Sequence, residues 1–451
     1  MIDRTKRPVP GGSREVRLPA VQQARLSNGL DVWLVQRREL PLVVLNLVMQ
    51  SGTDRDPLTM PGVATMTAEG LDAGTSTLNA LQIAESLEQI GASFNVRAML
   101  DGTSVSLVAL SKHLAKATDI FGSVISNPVF PETEIERLRK QRLNHLIQQR
   151  DRPATIASLV FYRVLYGPQH PYGNNKSGTE ASVQGMHRKN LVSFHRDHYR
   201  PNDGTIIAAG DVTLDGLVKV MEKRLGNWEA RNVPPAATPP LPVGKERHIY
   251  LVDKPGAPQS EIRIGYPCLP RSTPDFFPVI VMNRILGGQF SSRLNINLRE
   301  RRGLTYGAQT QFIFNKHEGP FIASAAVESS ETGNAIREFL IEMEKMRADG
   351  ITEEEIEFSR GGLAGSFALS FETASQQAGA LQNIALYGLP MDYYSHYIEN
   401  LHAVTREDIS RVARRYLDTS RMTIIVVGDL QAMKGEIEEL QLGEIVITDP
   451  A

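Results

Sequence analysis

PGVATMTAEGLDAGT, residues 61 to 75, matches the spacing of a helical zinc motif but not its side chains. An H-x-x-E-H helix binds Zn²⁺ through two imidazoles at i and i+4 on one face, with a glutamate beside them that activates water. Thr65 and Glu69 stand at the two histidine positions here, and Ala68 stands at the position of the glutamate. The spacing therefore indicates a fold, whereas the side chains argue against the activity that the motif supports.

The bulk composition excludes several classes of function. A chain of 451 residues allows roughly two to four domains, and its 41% of hydrophobic residues suffice for large cores. Because 49 basic and 51 acidic residues nearly cancel, no global field favours nucleic acid or an anionic membrane as a partner. Cys268 is the single cysteine, so the sequence allows neither an intramolecular disulfide nor a cysteine-rich zinc site.

The amino-terminal segment MIDRTKRPVPGGSREVRLP, residues 1 to 19, is basic but has no apolar signal-peptide region. No window approaches the roughly 18 uninterrupted apolar residues of a membrane-spanning helix. We therefore expect a soluble protein without a membrane span. The missing signal favours the cytoplasm, and a periplasmic location stays open if a signal was removed.

The chain repeats itself once. The strand-like TIIAAGD, which contains Gly210, recurs as TIIVVGD, which contains Gly428, an offset of 218 residues. Two further pairs keep nearly the same offset and order: GASFNV with GAQTQF at 216, and ETEIERLR with EEEIEFSR at 221. A repeat of this length predicts two copies of one domain of roughly 220 residues.

A proline-rich segment separates the two copies, with prolines at positions 234, 235, 239, 240 and 242. Fixed φ angles and missing N–H donors exclude a helix or a central strand. We therefore expect a semi-rigid linker over residues 231–246 that holds two domains apart. The predicted domains are residues 1–230, with the degenerate zinc motif, and residues 247–451.

Each copy mixes strands and helices. LSNGLDVWLVQ and LPLVVLNLVMQSG are predicted strands, NALQIAESLEQIG is an amphipathic helix closed by Gly91, and VRAMLDGTSVSLVAL is a hairpin around Asp101 and Gly102. In the second copy, EIRIGYP, AQTQFIFN and PFIASAAV are predicted strands. Because strands and helices do not alternate strictly, the predicted class is α+β, with helices on one face of a largely antiparallel sheet in each domain.

Taken in order, these segments resemble the pitrilysin/insulinase family of inverted zincins in its short, two-domain bacterial form. The resemblance spans nearly the whole chain: LSNGL, the frame of residues 61 to 75, RDRP, HPYG, the proline-rich linker and GGQFSSRLNINLRERRGLTYGA. It implies two similar domains in tandem that form half of a clam shell. It also implies kinship with the family's non-catalytic subunits, which lack H-x-x-E-H.

The resemblance implies where a third zinc ligand would stand. Active members take a glutamate from a later helix, and alignment on RDRP puts His145 at that position. The degenerate set is thus Thr65, Glu69 and His145, with Ala68 in place of the base. Because catalytic zinc needs three protein ligands and a hydroxyl does not replace an imidazole, we expect no metal on this chain. His195 and His198, three residues apart, are expected at the surface or core edge rather than on a metal.

LRERRGLTYGA in the second copy contains Arg299 and Tyr306. Gly303 is predicted to end the helix that bears Arg299, so that Tyr306 begins the next strand. By resemblance, these are the arginine and tyrosine with which the family binds substrate opposite the zinc. Guanidinium and phenol donors suit a peptide carbonyl or its oxyanion. From the residues alone, a solvated arginine cluster and a core tyrosine are the favoured interpretation, and the resemblance reverses that preference.

The leading hypothesis is therefore a non-catalytic, substrate-binding subunit of a heterodimeric zinc metallopeptidase that cleaves peptides. Zinc and base would sit on a homologous partner, and this chain would be inactive alone. The alternative is an inactive peptide-binding or assembly protein without any proteolytic role. A self-sufficient zinc peptidase would require stoichiometric zinc in the isolated chain. The sequence leaves homodimer and heterodimer equally open.

Overall fold

The computed structural model describes residues 19–234, 236, 239–241, 246–348 and 350–450. The amino-terminal segment on which the expected location rests lies almost wholly outside the described residues, as do Pro235 and Pro242 of the linker. None of the described helices is long and apolar enough to cross a membrane.

In the first half of the chain, the described residues form six strands and eight α-helices. The strands are β1 Val21–Arg25, β2 Asp31–Gln36, β3 Leu42–Met49, β4 Ser93–Ala98, β5 Thr103–Leu110 and β6 Gly204–Gly210. The helices are α1 Val63–Glu69, α2 Ala80–Glu88, α3 Leu114–Ser126, α4 Glu132–Arg150, α5 Pro153–Tyr166, α6 Glu180–Gly185, α7 Arg188–His198 and α8 Leu214–Leu225.

The described part of the second half contains six strands and seven α-helices. The strands are β7 His248–Asp253, β8 Gln259–Leu269, β9 Ala308–Phe312, β10 Gly319–Glu328, β11 Thr423–Gly428 and β12 Glu444–Ile447. The helices are α9 Phe276–Leu286, α10 Thr332–Arg347, α11 Glu353–Leu369, α12 Ala374–Tyr387, α13 Tyr397–His402, α14 Arg406–Tyr416 and α15 Leu430–Glu439. A π-helical segment, Asn295–Arg301, precedes β9.

The two halves build two mixed, six-stranded sheets with matching topology. Their strand orders are β1-β2-β6-β3-β5-β4 and β12-β7-β11-β8-β10-β9, so five of the six strands correspond. β6 pairs in parallel with β2 and antiparallel with β3, and β11 pairs the same way with β7 and β8. The predicted α+β class with two similar domains is confirmed. The limits 1–230 and 247–451 stay a prediction.

Local chemistry sets the ends of the predicted elements. α2 begins at a capping box, in which Asn79 accepts from the Gln82 N–H at 2.9 Å and Gln82 accepts from the Asn79 N–H at 3.0 Å. Shortly after its end, Gly91 adopts φ +62°, as expected of a residue that closes a helix. The hairpin of β4 and β5 turns at Asp101 and Gly102, as predicted.

Each domain places one helix on the sheet of the other domain. α5 belongs to the first half, but its buried side chains pack on Val252, Ile425 and Val427 of the second sheet. α12 of the second half packs in turn on β3 and β6 of the first sheet. The repeated strands β6 and β11 are thus covered on both faces, which explains why they are almost continuously apolar and buried.

This exchange corrects the expectation that the linker holds two domains apart. The described linker residues form neither helix nor strand, in keeping with their prolines, but the domains that they join are packed together. Polar contacts add to this packing. The carboxylate of Asp101 accepts from the hydroxyl of Tyr172 and from the backbone N–H of Lys316, the latter at 2.8 Å.

Candidate functional site

The helix that bears the degenerate motif is fixed at its amino-terminal end by a buried carboxylate. Asp56 accepts from the backbone N–H groups of Gly62, at 2.7 Å, and Ala64, at 2.8 Å. Burial raises the pKa of Asp56 to about 7, although both N–H donors favour its ionised form. Gly62 itself has φ +90° and lies against the backbone of Gly178, so a larger residue does not fit there.

The structure brings most of the degenerate motif into one open cleft of about 610 Å³, here called the first cleft. Helices α1 and α4 and the outermost strand β4 form its walls. Its lining residues are Ala68, Glu69, Asp72, Phe94, Asn95, Val96, Leu138, Gln141, Arg142 and His145. Thr65 is not among them, and its hydroxyl donates to the backbone carbonyl of Lys176 at 2.7 Å.

The other two metal-ligand positions, Glu69 and His145, are joined by a chain of side-chain hydrogen bonds. The carboxylate of Glu69 pairs with the guanidinium of Arg142, which also donates to Ser177 Oγ at 3.3 Å. Gln149 donates to the same oxygen at 3.4 Å and to His145 Nε2 at 2.9 Å. We call these five residues the α1–α4 network.

A second open cleft of about 540 Å³ lies in the other domain, beside the edge strand β9. Tyr306 lines it and is 94% exposed, and Phe290 lines it and is 66% exposed. The guanidinium of Arg299 stacks on the Phe290 ring, 4.1 Å from its centroid. Tyr306 therefore lines this cleft, which we call the second cleft, and Arg299 contacts its lining residue Phe290.

The backbone around the second cleft is held by short polar contacts. Gly303 ends the π-helical segment with φ +68°, as predicted, but β9 starts at Ala308, so Tyr306 lies in the loop before the strand. Thr305 Oγ1 anchors this loop by donating to the Ala326 carbonyl at 2.7 Å. Asn295 ties the preceding helix to β9, because its amide donates to the Ala308 carbonyl at 2.7 Å.

Comparison with known proteins gives the same fold. The family described as "Insulinase (Peptidase family M16)" matches residues 32–163, and "Peptidase M16 inactive domain" matches residues 186–363. The chain belongs to the peptidase M16 (insulinase) family. A crystal structure of a peptidase M16 inactive domain from Pseudomonas fluorescens superposes with a TM-score of 0.86 at 27% identity, covering 92% of this chain and 99% of the other.

Bacterial relatives match most of this chain. An uncharacterized zinc protease of Mycobacterium tuberculosis is 28% identical over 415 residues, which cover 91% of this chain and 90% of the relative. A protein of Helicobacter pylori named a non-peptidase homolog is 23% identical over 403 residues, which cover 86% of this chain and 90% of that one. Such names make zinc the group to test in the first cleft.

The residues of the first cleft do not fit a catalytic zinc ion. Such an ion takes three protein ligands from nitrogen, sulfur or carboxylate groups. Here the lone pair of His145 Nε2 accepts from Gln149, Glu69 pairs with Arg142, and Thr65 offers only a hydroxyl. Within the described ranges, no group of three or more His, Cys, Asp or Glu side chains is placed to hold a metal ion.

Two features of the clefts in this M16 chain were not predicted from its sequence. The first is the exposed ring of Phe290. An aromatic residue in the glycine-rich loop GGQFSS could have indicated this exposure. Arg142 stands three residues before His145, but nothing in the local sequence indicated its contact with Glu69, 73 residues away. Pairs so distant in sequence are brought together only by the fold.

We expect His195 to make the stability of the protein sensitive to acid. Its Nε2–H donates to the Ile125 carbonyl at 2.7 Å, and burial lowers its pKa from 6.5 to about 4. Below pH 6.5 the unfolded chain takes up a proton that the folded chain refuses until about pH 4, so stability falls across that window. The loss is up to about 3 kcal/mol. In His195→Gln, the difference in unfolding free energy between pH 7.5 and 4.5, measured with urea, should shrink accordingly; an unchanged difference contradicts this account.

Proposed function

We propose that this chain is the non-catalytic, substrate-binding subunit of a zinc metallopeptidase heterodimer that cleaves peptides or unfolded protein segments. A homologous subunit bears the zinc and the base, and Arg299 and Tyr306 of this chain complete its active site. The exposure of Tyr306 at the second cleft, together with Arg299 stacked on the lining residue Phe290, carries the proposal. A ring that is 94% exposed contributes little to packing, which favours a role in binding.

The chemistry of the second cleft suits a peptide. The guanidinium keeps its positive charge at all working pH values and offers several N–H donors, and the phenol offers one more. Donors already in place when negative charge develops on a carbonyl oxygen stabilise the tetrahedral intermediate. The stacking of Arg299 on Phe290 fixes the plane of the guanidinium before substrate arrives.

The sheets offer a way to hold an extended chain. β4 is the outermost strand of the first sheet and lines the first cleft, and β9 is outermost in the second sheet, beside the second cleft. An unfolded peptide can add to such an edge as an extra strand, through main-chain hydrogen bonds that do not depend on its sequence. This mode of binding suits a subunit that handles varied peptide segments.

The alternative is a peptide-binding or assembly protein without any part in proteolysis. The poor fit of the first cleft to zinc is equally compatible with it, and the name of the Helicobacter pylori relative, a non-peptidase homolog, favours it. The two functions differ in what the chain does when a zinc-bearing homologue is present.

Reconstitution separates these functions. We expect the purified chain to cleave no fluorogenic peptide and to carry no stoichiometric zinc. Mixed with a zinc-bearing homologue from the same organism, it should raise kcat/KM for peptide cleavage at least about tenfold, and a chelator should abolish that activity. Equal activity of the homologue with and without this chain contradicts the proposal and favours the alternative. Zinc-dependent cleavage by this chain alone contradicts both.

A further inference from the structure

We propose that Arg142 and the α1–α4 network take the place of the metal ion in this chain and exclude divalent cations from the first cleft. This exclusion is a property of the chain by itself and does not depend on a partner subunit. The loss of zinc would then be more than a loss of histidines, because a cationic side chain now occupies the region between α1 and α4.

The position of Arg142 supports this role. It lies on α4, one turn before His145, and is only 9% exposed, although guanidinium groups usually remain in water. From there it pairs with Glu69, the last residue of α1, which holds the place of the second histidine. A zinc ion held at Glu69 and His145 would bridge the same two helices, so the guanidinium makes the connection that the metal would make.

The loop of residues 174–178 supplies two further hydrogen-bond acceptors to this region. Ser177 Oγ accepts from both Arg142 and Gln149, and the neighbouring Lys176 carbonyl accepts from Thr65. All three motif positions, Thr65, Glu69 and His145, are thus engaged with a hydrogen-bond donor or acceptor of the protein. A metal ion would have to displace Gln149 to bind His145 Nε2, and Arg142 to bind the paired oxygen of Glu69.

Electrostatics contributes to the exclusion. A guanidinium stays protonated at every accessible pH, so it does not yield to a metal by losing its proton, as a lysine or histidine does. A dication bound at position 69 would lie next to this fixed positive charge, and like charges at contact distance repel, although water in the open cleft weakens the repulsion. Restoring the two histidines alone should therefore fail to restore a zinc site.

The test introduces histidine ligands at positions 65 and 69 into chains that keep or lack the positive charge at position 142. The background variant carries Thr65→His and Glu69→His and keeps His145 as the third nitrogen. To it are added, separately, Arg142→Gln, which removes the charge but can still bond Ser177, and Arg142→Lys, which keeps the charge. Zinc content after dialysis, zinc affinity by chelator competition, and the visible spectrum of substituted Co²⁺ report the site without reference to activity.

We expect about one zinc per chain in the Arg142→Gln variant, at an affinity at least about 100-fold above that of the background and the Arg142→Lys variant. Tetrahedral Co²⁺ absorption should appear in the same variant. Equal binding by all three variants would show that Arg142 does not exclude the metal. Failure of all three to bind, with their folds intact by circular dichroism, would show that removing the cation does not open the site. Either result overturns the proposal.

A second measurement tests, in the otherwise unaltered chain, whether Arg142 and Glu69 stabilise the fold as a pair. Glu69→Gln and Arg142→Met should each lower the melting temperature by about 2–4 °C, because each leaves a partner without its counter-charge. The double variant should lose no more than the worse single variant, and a chelator should not shift the melting temperature of the parent. Additive losses would mean that the two residues do not act as one unit, which contradicts the proposal.

Discussion

Arg299→Ala is expected to lower kcat/KM of the reconstituted peptidase by about 10²–10³-fold, the usual cost of removing a donor that stabilises a developing oxyanion. The effect should fall mainly on kcat, because this interaction strengthens as charge builds on the carbonyl oxygen. The zinc content of the partner should not change. Steady-state kinetics with a fluorogenic peptide, at saturating concentrations of the variant chain, provides the measurement.

Neighbouring variants show whether the effect is specific to the second cleft. Arg301→Ala, which removes an exposed cation from the same helical segment, should leave kcat/KM within about twofold. Phe290→Leu keeps an apolar side chain under Arg299 but removes the ring, and should cost about fivefold, as expected for one exposed cation–π contact. If Arg299→Ala and Arg301→Ala behave alike, the shared active site is not supported, and the assembly alternative gains.

Much of the fold could be predicted because it has local signals. The apolar runs TIIAAGD and TIIVVGD, 218 residues apart, predicted the repeated central strands, and both became the strands that join the parallel and antiparallel parts of their sheets. The turn at Asp101 and the closing Gly91 were visible from residue type alone. Such features depend on a few adjacent residues, so they can be found without the tertiary structure.

The exchanged helices could not be predicted. The periodic apolar residues of α5 show that one face is buried, but not that it packs on the second sheet rather than its own. The α1–α4 network was hidden for the same reason: Glu69, Arg142 and Ser177 are distant in sequence and meet only in the folded chain. Periodicity specifies a face, and the packing partner of that face is a property of the whole fold.

The exchange also bears on the geometry of the two clefts. Because α5 and α12 each lie on the other domain's sheet, rotation of one domain against the other would strip apolar side chains from both cores. The first and second clefts should therefore keep a fixed separation within the chain. Opening and closing around a peptide would then have to occur between subunits, not between the domains of one subunit.

Phe161→Ala is the substitution that tests this coupling most severely. Phe161 belongs to α5 of the first half and is fully buried, yet it lies in the same hydrophobic cluster as Val252, Ile425 and Val427 of the second sheet. Truncating a buried phenylalanine costs about 3–5 kcal/mol. We expect that loss to appear as reduced hydrogen-exchange protection in β8 and β11, read by mass spectrometry, whereas β3 and β5 should keep most of their protection.

Phe121→Ala supplies the matched control, because Phe121 is equally buried but lies in α3, packed edge-to-face on Phe94 of β4. The same truncation there should reduce protection in β4 and β5 and spare the second sheet. If Phe161→Ala instead weakens β3 and β5 first, α5 stabilises its own domain, and the exchange contributes little to holding the two clefts in place. Opposite patterns in the two variants would show that part of the second domain's stability is encoded in the first half of the chain.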